Sequence, residues 1–446
     1  MFDLGIENTT IVRNGSAEVG NVYVDAGRIA AVGTDSHPAR DRVDGSGRAL
    51  LPGFVDTHVH LMDPGETERE DFPSGTAAAA GSGVTTVLEH THANPVRTVA
   101  DLERKRAHLQ GRSWVDYGLV AHAWPGASAE AEPLWRAGIA YFKLFTCETH
   151  GVAAHDAVSV LEHFTAYAEL GARALVHCED DGLTAAAEQA LRAAGRSDGA
   201  VVAEWRSSLA EEVAVAEVVQ IARRTGARVG IAHCSSPTIV GLVTEARRAG
   251  ADVVAEACPQ YMLLREGELA ELGPLRKFTP PARARDDADE SAMWGLLREG
   301  ELAFVSSDHA PSSRAQKDRD IWEAPFGLPG LDTTSSLLLD AVGRGALTLP
   351  DLARVYSEGP ARHYGLWPRK GSLEIGTDAD LVLVDPRAER VLSEGDLRSK
   401  AGWTPYLGRR VSGRIDAAWL WGELLFRDGE LCGERRGRFQ PGPGCF

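Results

Sequence analysis

The sequence predicts an α/β fold: a (β/α)8 barrel of the TIM type, with a small β-sandwich domain built from both chain ends. Three observations predict it. Eight short β-type runs between residues 54 and 307 each precede a helical or loop-like segment, ionisable residues gather where those runs end, and the two chain ends carry hairpin-like patterns. At 446 residues the chain exceeds a typical single domain, yet no low-complexity linker divides it.

The eight predicted strands cover residues 54–57, 84–89, 117–121, 141–145, 174–176, 228–232, 253–257 and 304–307. In such a barrel the catalytic groups project from the carboxyl ends of the strands. The chemically active residues fall within or just after these runs, at His58, His60, Lys143, His177, His233 and Asp308. Fold and chemistry therefore point to one end of the barrel.

The chain ends read differently from the barrel. Residues 22–33 look like a hairpin with a glycine-containing turn, and residues 380–385 form a short apolar strand. We therefore expect residues 1–52 and 366–446 to meet in one small β-domain, with residues 53–365 forming the barrel.

Composition narrows the partners. A formal net charge of -17 argues against nucleic acid and against an anionic membrane surface, so a small molecule is the expected partner. Six cysteines without a C-x-x-C pair, in a chain that needs no disulfide staples, predict a reducing cytoplasm. We see no signal-peptide pattern and no apolar run of membrane-spanning length.

The pair His58-x-His60 ends an apolar run. Residues i and i+2 of a strand point to the same side, so both imidazoles can reach one metal ion. His177 and His233 also follow apolar strands, where a lone histidine is more often a hydrogen-bonded core residue than a ligand. Asp308 can equally be a turn former. Taken singly, these three positions leave both interpretations open.

Lys143 lies between aromatic residues in a predicted buried strand, where an unpaired ammonium would be costly. Either its side chain reaches out to solvent or it has been chemically altered. A neutral lysine amine reacts with carbon dioxide to give a carbamate, an anionic oxygen ligand able to bridge two cations. Four histidines, a carbamate and an aspartate would then suffice for a two-metal site.

The ordered series His58-x-His60, Lys143, His177, His233, Asp308 resembles the metal-binding signature of the amidohydrolase superfamily. Within it, the likeness is to the cyclic amidohydrolases: allantoinase, hydantoinase/dihydropyrimidinase and dihydroorotase. It spans nearly the whole chain, and the further matching motifs begin at Gly53, Gly75, Gly83, Cys258, Lys277 and Gly371. The resemblance implies the barrel fold and a hydrolase that opens cyclic amides.

The resemblance also implies the cofactors and residue roles. Two divalent ions, expected to be zinc, would be held by His58, His60 and Asp308 on one side and by His177 and His233 on the other. Carboxylated Lys143 would bridge them. Asp308 would be the catalytic residue, taking a proton from the attacking water-derived nucleophile and passing it to the ring nitrogen that leaves.

A second group of residues bears on the substrate. Dihydroorotases of this type resemble one another in carrying an arginine two residues after the second histidine, and here that position is Met62. The segment 61–72 looks more like that of allantoinases. The chain departs from these relatives at three places. They are the segment from Glu89 to Pro95 after strand two, Glu148 where hydantoinases place a tyrosine, and the segment from Trp322 to Gly330. The predicted substrate-binding residues are Met62, His92, Asn94, Thr279, Pro281, Phe326 and Gly327, whereas His90 and His92 could also be simple loop histidines.

The favoured interpretation is an allantoinase-like hydrolase of a neutral cyclic ureide or imide. The alternatives are hydantoinase/dihydropyrimidinase or dihydroorotase activity and, more remotely, a non-catalytic scaffold homologue, which would need lost ligands. Deaminase chemistry on the same barrel usually lacks the strand-four lysine, so Lys143 argues against it. The resemblance also implies a homo-oligomer, a tetramer or a dimer.

Overall fold

The computed structural model describes residues 1–445; Phe446, the last residue of the predicted 366–446 segment, lies outside the described residues. The chain begins with five strands: β1 (Phe2–Arg13), β2 (Ser16–Asp25), β3 (Arg28–Gly33), β4 (Ala39–Asp44) and β5 (Ala49–Pro52). The predicted hairpin at 22–33 is confirmed by the antiparallel β2–β3 pair, whose turn residues Ala26 and Gly27 both have positive φ.

The barrel strands follow: β6 (Phe54–Val59), β7 (Val84–Glu89), β8 (Asp116–Leu119), β9 (Ala121–His122), β10 (Phe142–Phe145), β11 (Arg173–His177), β12 (Arg228–Ile231), β13 (Val253–Ala257) and β14 (Leu302–Val305). The parallel pairs run in the orders β6-β7-β8 and β9-β10-β11-β12-β13-β14. An isolated parallel bridge between Val59 of β6 and His309, four residues after β14, brings the first and last barrel strands together. The predicted (β/α)8 barrel is confirmed.

The third predicted strand differs from the single run expected over 117–121. It is interrupted at Val120, whose amide donates to the Glu89 carbonyl on one side while the amide of Ala121 donates to the Tyr141 carbonyl on the other. The interruption lets β8 pair with β7 and β9 pair with β10. The barrel therefore continues across the break.

Helices cover the barrel and link its strands. They are α1 (Phe72–Gly81), α2 (Val99–Leu109), α3 (Ala131–Arg136), α4 (Ala157–Leu170), α5 (Asp181–Ala193), α6 (Val201–Trp205), α7 (Ser208–Thr225), α8 (Pro237–Arg248), α9 (Pro259–Leu263), α10 (Glu268–Leu272), α11 (Asp287–Glu299), α12 (Arg314–Lys317), α13 (Thr334–Gly343), α14 (Leu349–Ala353) and α15 (Gly359–His363). Short helical turns lie at Ser128–Glu130, Gly273–Arg276, Arg354–Glu358, Glu394–Asp396 and Pro443–Cys445. None of the helices described is long and apolar enough to cross a bilayer.

The chain returns to the first sheet with β15 (Leu381–Val391), β16 (Arg410–Leu420), β17 (Glu423–Arg427) and β18 (Glu430–Leu431). Antiparallel pairing of β5 with β15 brings both chain ends into one nine-stranded sheet, as predicted. Alternate residues of β15 point to opposite faces of the sheet. Leu381 and Leu383 pack in the core of the small domain, whereas Val382 and Val384 pack in the barrel core. The β2–β3 turn also contacts the segment before β15, because the Ala379 amide donates to the Gly27 carbonyl at 2.9 Å. This arrangement is consistent with the predicted β-sandwich.

The last described residues lie against the barrel. The Gln440 amide donates to the Tyr117 carbonyl at 2.7 Å, and the Gly437 amide donates to the Ser113 carbonyl at 3.0 Å. The predicted division at residues 52 and 365 stays a prediction.

Candidate metal centre

A pocket opens at the carboxyl ends of the barrel strands. Its lining consists of His58, His60, His92, Lys143, Phe145, His150, His177, His233, Phe278, Thr279, Asp308, Ala310, Phe326 and Gly327. All six predicted metal-binding residues are among them, together with four of the seven predicted substrate-binding residues. Residues from seven different barrel strands or the loops after them thus converge on one place, as the barrel topology predicts.

Three predicted substrate-binding residues do not line this pocket. Met62 is buried with a positive φ of 56°, Asn94 is exposed in the loop after β7, and Pro281 is buried two residues beyond Thr279. Their predicted contact with substrate therefore has no support in the geometry.

Hydrogen bonds to one ring nitrogen fix the orientation of three of the four predicted histidine ligands. His58 Nδ1 lies 2.9 Å from Glu256 Oε2, His60 Nδ1 lies 2.6 Å from the His90 carbonyl, and His177 Nε2 lies 2.7 Å from Glu179 Oε2. The other nitrogen of each ring is then available to bind a metal ion in the pocket. This outer support is what metal-binding histidines need, because it sets both the tautomer and the direction of the free lone pair.

The free ligand atoms form two adjacent groups. Asp308 Oδ1 lies 3.3 Å from His58 Nε2 and 3.6 Å from His60 Nε2, while His177 Nδ1 lies 3.0 Å from His233 Nε2. Two ligand atoms at 2.0–2.1 Å from one tetrahedral zinc ion are about 3.3 Å apart. The spacing in each group therefore fits a shared ion. Lys143 Nζ lies 3.4 Å from His58 Nε2.

Burial sets the protonation of these groups. It lowers the pKa of His58 and His233 well below the usual value, with Lys143 a further cause at both, so both rings are neutral and able to ligate a cation. Burial alone would raise the pKa of Asp308, but His58 and His60 draw it below its usual value, which keeps the carboxylate ionised. Lys143 is fully buried, and burial lowers its pKa to about 8.

Two potential metal-binding clusters stand out within residues 1–445, each with ligand atoms within 4.8 Å of one another: His58, His60 and His90, and Cys147, His177 and Glu179. His90 was one of the two loop histidines left open by the sequence. It is buried against the rings of His58 and His60, at centroid distances of 4.7 and 4.3 Å, and neither ring nitrogen has a protein hydrogen-bond partner. The chain thus contains histidine clusters that could hold metal.

Sequence reasoning missed the carboxylates behind the histidines. Glu256 lies in β13, and Glu179 follows β11, where its Oε2 also accepts from Thr279 Oγ1 at 2.6 Å and faces Arg206 Nη1 at 3.4 Å. Burial alone would raise the pKa of Glu179, but Arg206 and His177 lower it to about 2. The usable signal was a glutamate inside or next to a predicted buried strand, since such a charge needs a partner.

His150 was also missed. It lines the pocket with a positive φ of 54° and stacks on His92, with ring centroids 4.6 Å apart and an interplanar angle of 5°. Glu148, singled out as the position of the hydantoinase tyrosine, is exposed instead and is absent from the lining. His92, the other open histidine, belongs to the pocket.

Comparison with known proteins agrees with this geometry. The model of the amidohydrolase family matches residues 49–406. An allantoinase from Rubrobacter xylanophilus is 35% identical over 445 residues, covering 98% of this chain and 97% of the relative. An allantoinase from Escherichia coli is 32% identical over 435 residues, covering 95% of each chain.

Solved structures also match this chain, at lower identity. The L-hydantoinase (dihydropyrimidinase) from Arthrobacter aurescens superposes with a TM-score of 0.94 at 28% identity, covering 98% of this chain and 99% of that one. A D-hydantoinase superposes with a TM-score of 0.93 at 27% identity over the full length of both chains. The resemblance seen in the sequence is confirmed: this chain belongs to the amidohydrolase family.

Proposed function

We propose that this enzyme, a metal-dependent hydrolase of cyclic amides, opens a neutral cyclic ureide or imide at a ring C–N bond. The observation that best supports this proposal is the charge of the pocket. Among the residues that line it, Lys143 is the only lysine or arginine and Asp308 is the only carboxylate. A substrate carboxylate enclosed there would lack a charge-assisted partner. A neutral ring, by contrast, needs none.

The arginines near the pocket are already engaged. Arg283, the residue best placed in the sequence to replace the arginine missing at Met62, donates to the Arg206 carbonyl and lines a separate cavity. Arg206 itself faces Glu179. Both contacts support the preference for a neutral substrate over dihydroorotate.

The cofactor we propose is a pair of zinc ions with a carbamate on Lys143. Lys143 is buried and has no ion pair among the described residues, and its lowered pKa favours the neutral amine that reacts with carbon dioxide. His58, His60 and Asp308 would hold one ion and His177 and His233 the other, with carboxylated Lys143 shared. When bound, two such ions would polarise the ring carbonyl and activate water at neutral pH.

The residues of the chain supply the remaining steps. Asp308 is ionised, its Oδ2 faces Gln260 Nε2 at 3.3 Å, and its side chain reaches the pocket, so it can accept a proton from water and return it to the leaving ring nitrogen. Phe145, Phe278 and Phe326 form apolar walls that exclude bulk water and present aromatic surface to a planar ring.

Hydantoinase or dihydropyrimidinase activity is the second candidate. The apolar pocket wall and the likeness to the L-hydantoinase structure favour it. Against it stands the exposed Glu148 in place of the tyrosine expected of that group. A scaffold role would need lost ligands, whereas all six lie together in one pocket.

A turnover panel tests the proposal. Allantoin, hydantoin, dihydrouracil, dihydroorotate and simple cyclic imides are compared by kcat/KM on one zinc-loaded, bicarbonate-treated sample. We expect the best neutral ring to exceed dihydroorotate by about 10- to 100-fold, since an unpaired carboxylate costs about 1–3 kcal/mol. If dihydroorotate is preferred, the proposed substrate class is wrong. Metal analysis of the same sample should give two ions per chain, and a crystal structure of it should place them about 3.5–4 Å apart, as is typical of two-metal sites.

We also propose a homo-oligomer, a dimer or a tetramer. Exposed apolar side chains lie on three helices that pack side by side: Val158 and Leu161 on α4, Leu183 on α5, and Leu209 and Val213 on α7. Light scattering on the purified protein would give the mass. A cytoplasmic location remains part of the same proposal, in keeping with the free thiols of the six cysteines.

A further inference from the structure

Two buried lysines lie beneath the loop that carries one wall of the pocket. Residues 318–327 follow α12 and end in Phe326 and Gly327, which both line the pocket. Lys317 ends α12, and Lys277 precedes Phe278 and Thr279 on the opposite side of the loop. Lys317 is 0% exposed and Lys277 is 1% exposed, so the amino groups of both side chains must find partners inside the protein.

The partners are main-chain carbonyls of that one loop. Lys277 Nζ donates to the carbonyls of Ile321 at 2.5 Å and Ala324 at 2.6 Å. Lys317 Nζ donates to the Pro325 carbonyl at 2.8 Å and to the Lys277 carbonyl at 2.9 Å. The two side chains therefore bind the loop at three successive points just before the wall.

The link continues into the wall itself. The Lys277 carbonyl accepts from the Gly327 amide at 3.1 Å, and Lys277 Nζ lies 4.4 Å from the ring centroid of Phe326. On its other sides the Phe326 ring contacts Trp205, with centroids 5.2 Å apart, and His150, with centroids 6.0 Å apart. A shift of Lys277 would therefore move Phe326 relative to His150 across the pocket.

Neither lysine forms an ion pair with a carboxylate among the described residues, which separates them from an ordinary buried salt bridge. Two lysine amino groups buried close together, with only carbonyls as partners, are an unfavourable way to fill a core. The unfavourable burial of Lys277 and Lys317 is explained if the protein needs loop 318–327 to be held in one position. Lysine fits this use because one ammonium can donate to several carbonyls at once.

We propose that Lys277 and Lys317 are positioning residues that fix loop 318–327, and with it Phe326, and thereby set how large a ring substituent the pocket accepts. The inference rests on the proposed function, because it concerns the specificity of that same pocket. Substrate specificity would then depend on Lys277 and Lys317, which do not line the pocket.

Lys277→Met and Lys317→Met test this in the full-length, zinc-loaded enzyme. We measure kcat and KM for hydantoin and for 5-phenylhydantoin, and the ratio of the two kcat/KM values should change by about tenfold or more in favour of the larger ring. KM should change more than kcat, and zinc content should stay at the wild-type value. Lys400→Met is the matched control, because Lys400 Nζ contacts Asp71 and not this loop.

Trypsin gives a second measurement that needs no turnover. Arg319 is exposed in the loop, and a loop held at three carbonyls should resist cleavage there, whereas both methionine variants should be cut faster at Arg319 than wild type or Lys400→Met. Unchanged substrate ratios together with unchanged cleavage in both variants would overturn the proposal. If no cyclic ureide is hydrolysed by wild type, the proposed function fails instead, and the cleavage rates still decide whether the lysines hold the loop.

Discussion

Two buried lysines at opposite ends of the barrel have opposite surroundings. Lys370 lies where the small domain meets the amino end of β8, and its Nζ lies 2.5 Å from Asp116, 2.8 Å from Asp380 and 3.0 Å from Asp378. Lys143 lies at the pocket end, has no such ion pair, and has His58 Nε2 at 3.4 Å. Both are at most 1% exposed.

The difference separates a structural cation from a reactive amine. Burial lowers the pKa of both, but at Lys370 the three aspartates outweigh burial and raise the pKa above its usual value, so it stays an ammonium and joins the two domains. At Lys143 burial prevails and the pKa falls to about 8. Of these two lysines, Lys143 is therefore the one whose amine is available for chemistry.

The largest expected effect is at Lys143. Lys143→Ala should lose metal and activity together, because the proposed carbamate would be a ligand of both ions. The rate loss should exceed the factor of about 10⁴ that removal of a general base can cost. Short carboxylic acids should partly restore both by supplying the missing oxygens. Turnover and metal content are measured with and without added acetate, beside Lys400→Ala as control. Full metal occupancy and turnover in Lys143→Ala would show that Lys143 is not the bridge.

Next is Asp308. Asp308→Asn keeps the shape of the side chain but removes the proton acceptor, so kcat should fall by about 10²–10⁴ while the circular dichroism spectrum is retained. His309 is a poor substitute for this role, because its Nε2 faces Glu70 at 3.2 Å and its Nδ1 accepts from the Gly330 amide. A near-normal rate in Asp308→Asn would place proton transfer on another residue.

The comparison predicts a different result for the same substitution at the two lysines. Lys370→Met leaves three buried aspartates without their cation, and the free energy of unfolding in urea should fall by about 3–5 kcal/mol. Lys143→Met in metal-free protein removes an unpaired amine and should cost less than about 1 kcal/mol. Similar losses for both variants would contradict the distinction between them. The kcat/KM of folded Lys370→Met should remain that of wild type.

The sequence predicts the pocket far better than the ion cluster. His58, His60 and Lys143 are visible because strand periodicity and burial act within a few residues, and the strand ends place them together. The cluster of Lys370 joins Asp116 and Asp380 across up to 254 positions, which no local pattern reveals. Met62 was included because it takes the position of the dihydroorotase arginine, and Asn94 because it lies in the divergent segment after strand two. A backbone turn at positive φ and an exposed loop take these two residues out of the lining. His150 reaches the pocket because its own backbone is left-handed, a conformation that periodicity cannot predict.

The smallest expected effect is the change with pH in how much Lys277 and Lys370 contribute to the free energy of unfolding. Burial lowers the pKa of Lys277 to about 8, so between about pH 8 and 10.5 the unfolded chain holds a proton that the folded chain does not, and stability rises with pH through that range. The advantage of wild type over Lys277→Met in urea should therefore grow by about 1–2 kcal/mol from pH 7.5 to 9.5. The pKa of Lys370 is raised, so its stabilisation is fully present below the unfolded pKa of about 10.5, and the advantage over Lys370→Met should stay constant within about 0.5 kcal/mol. A gap to Lys277→Met that stays constant over this pH range, as expected at Lys370, would mean that Lys277 is held as a cation, which would place it with Lys370 rather than with Lys143.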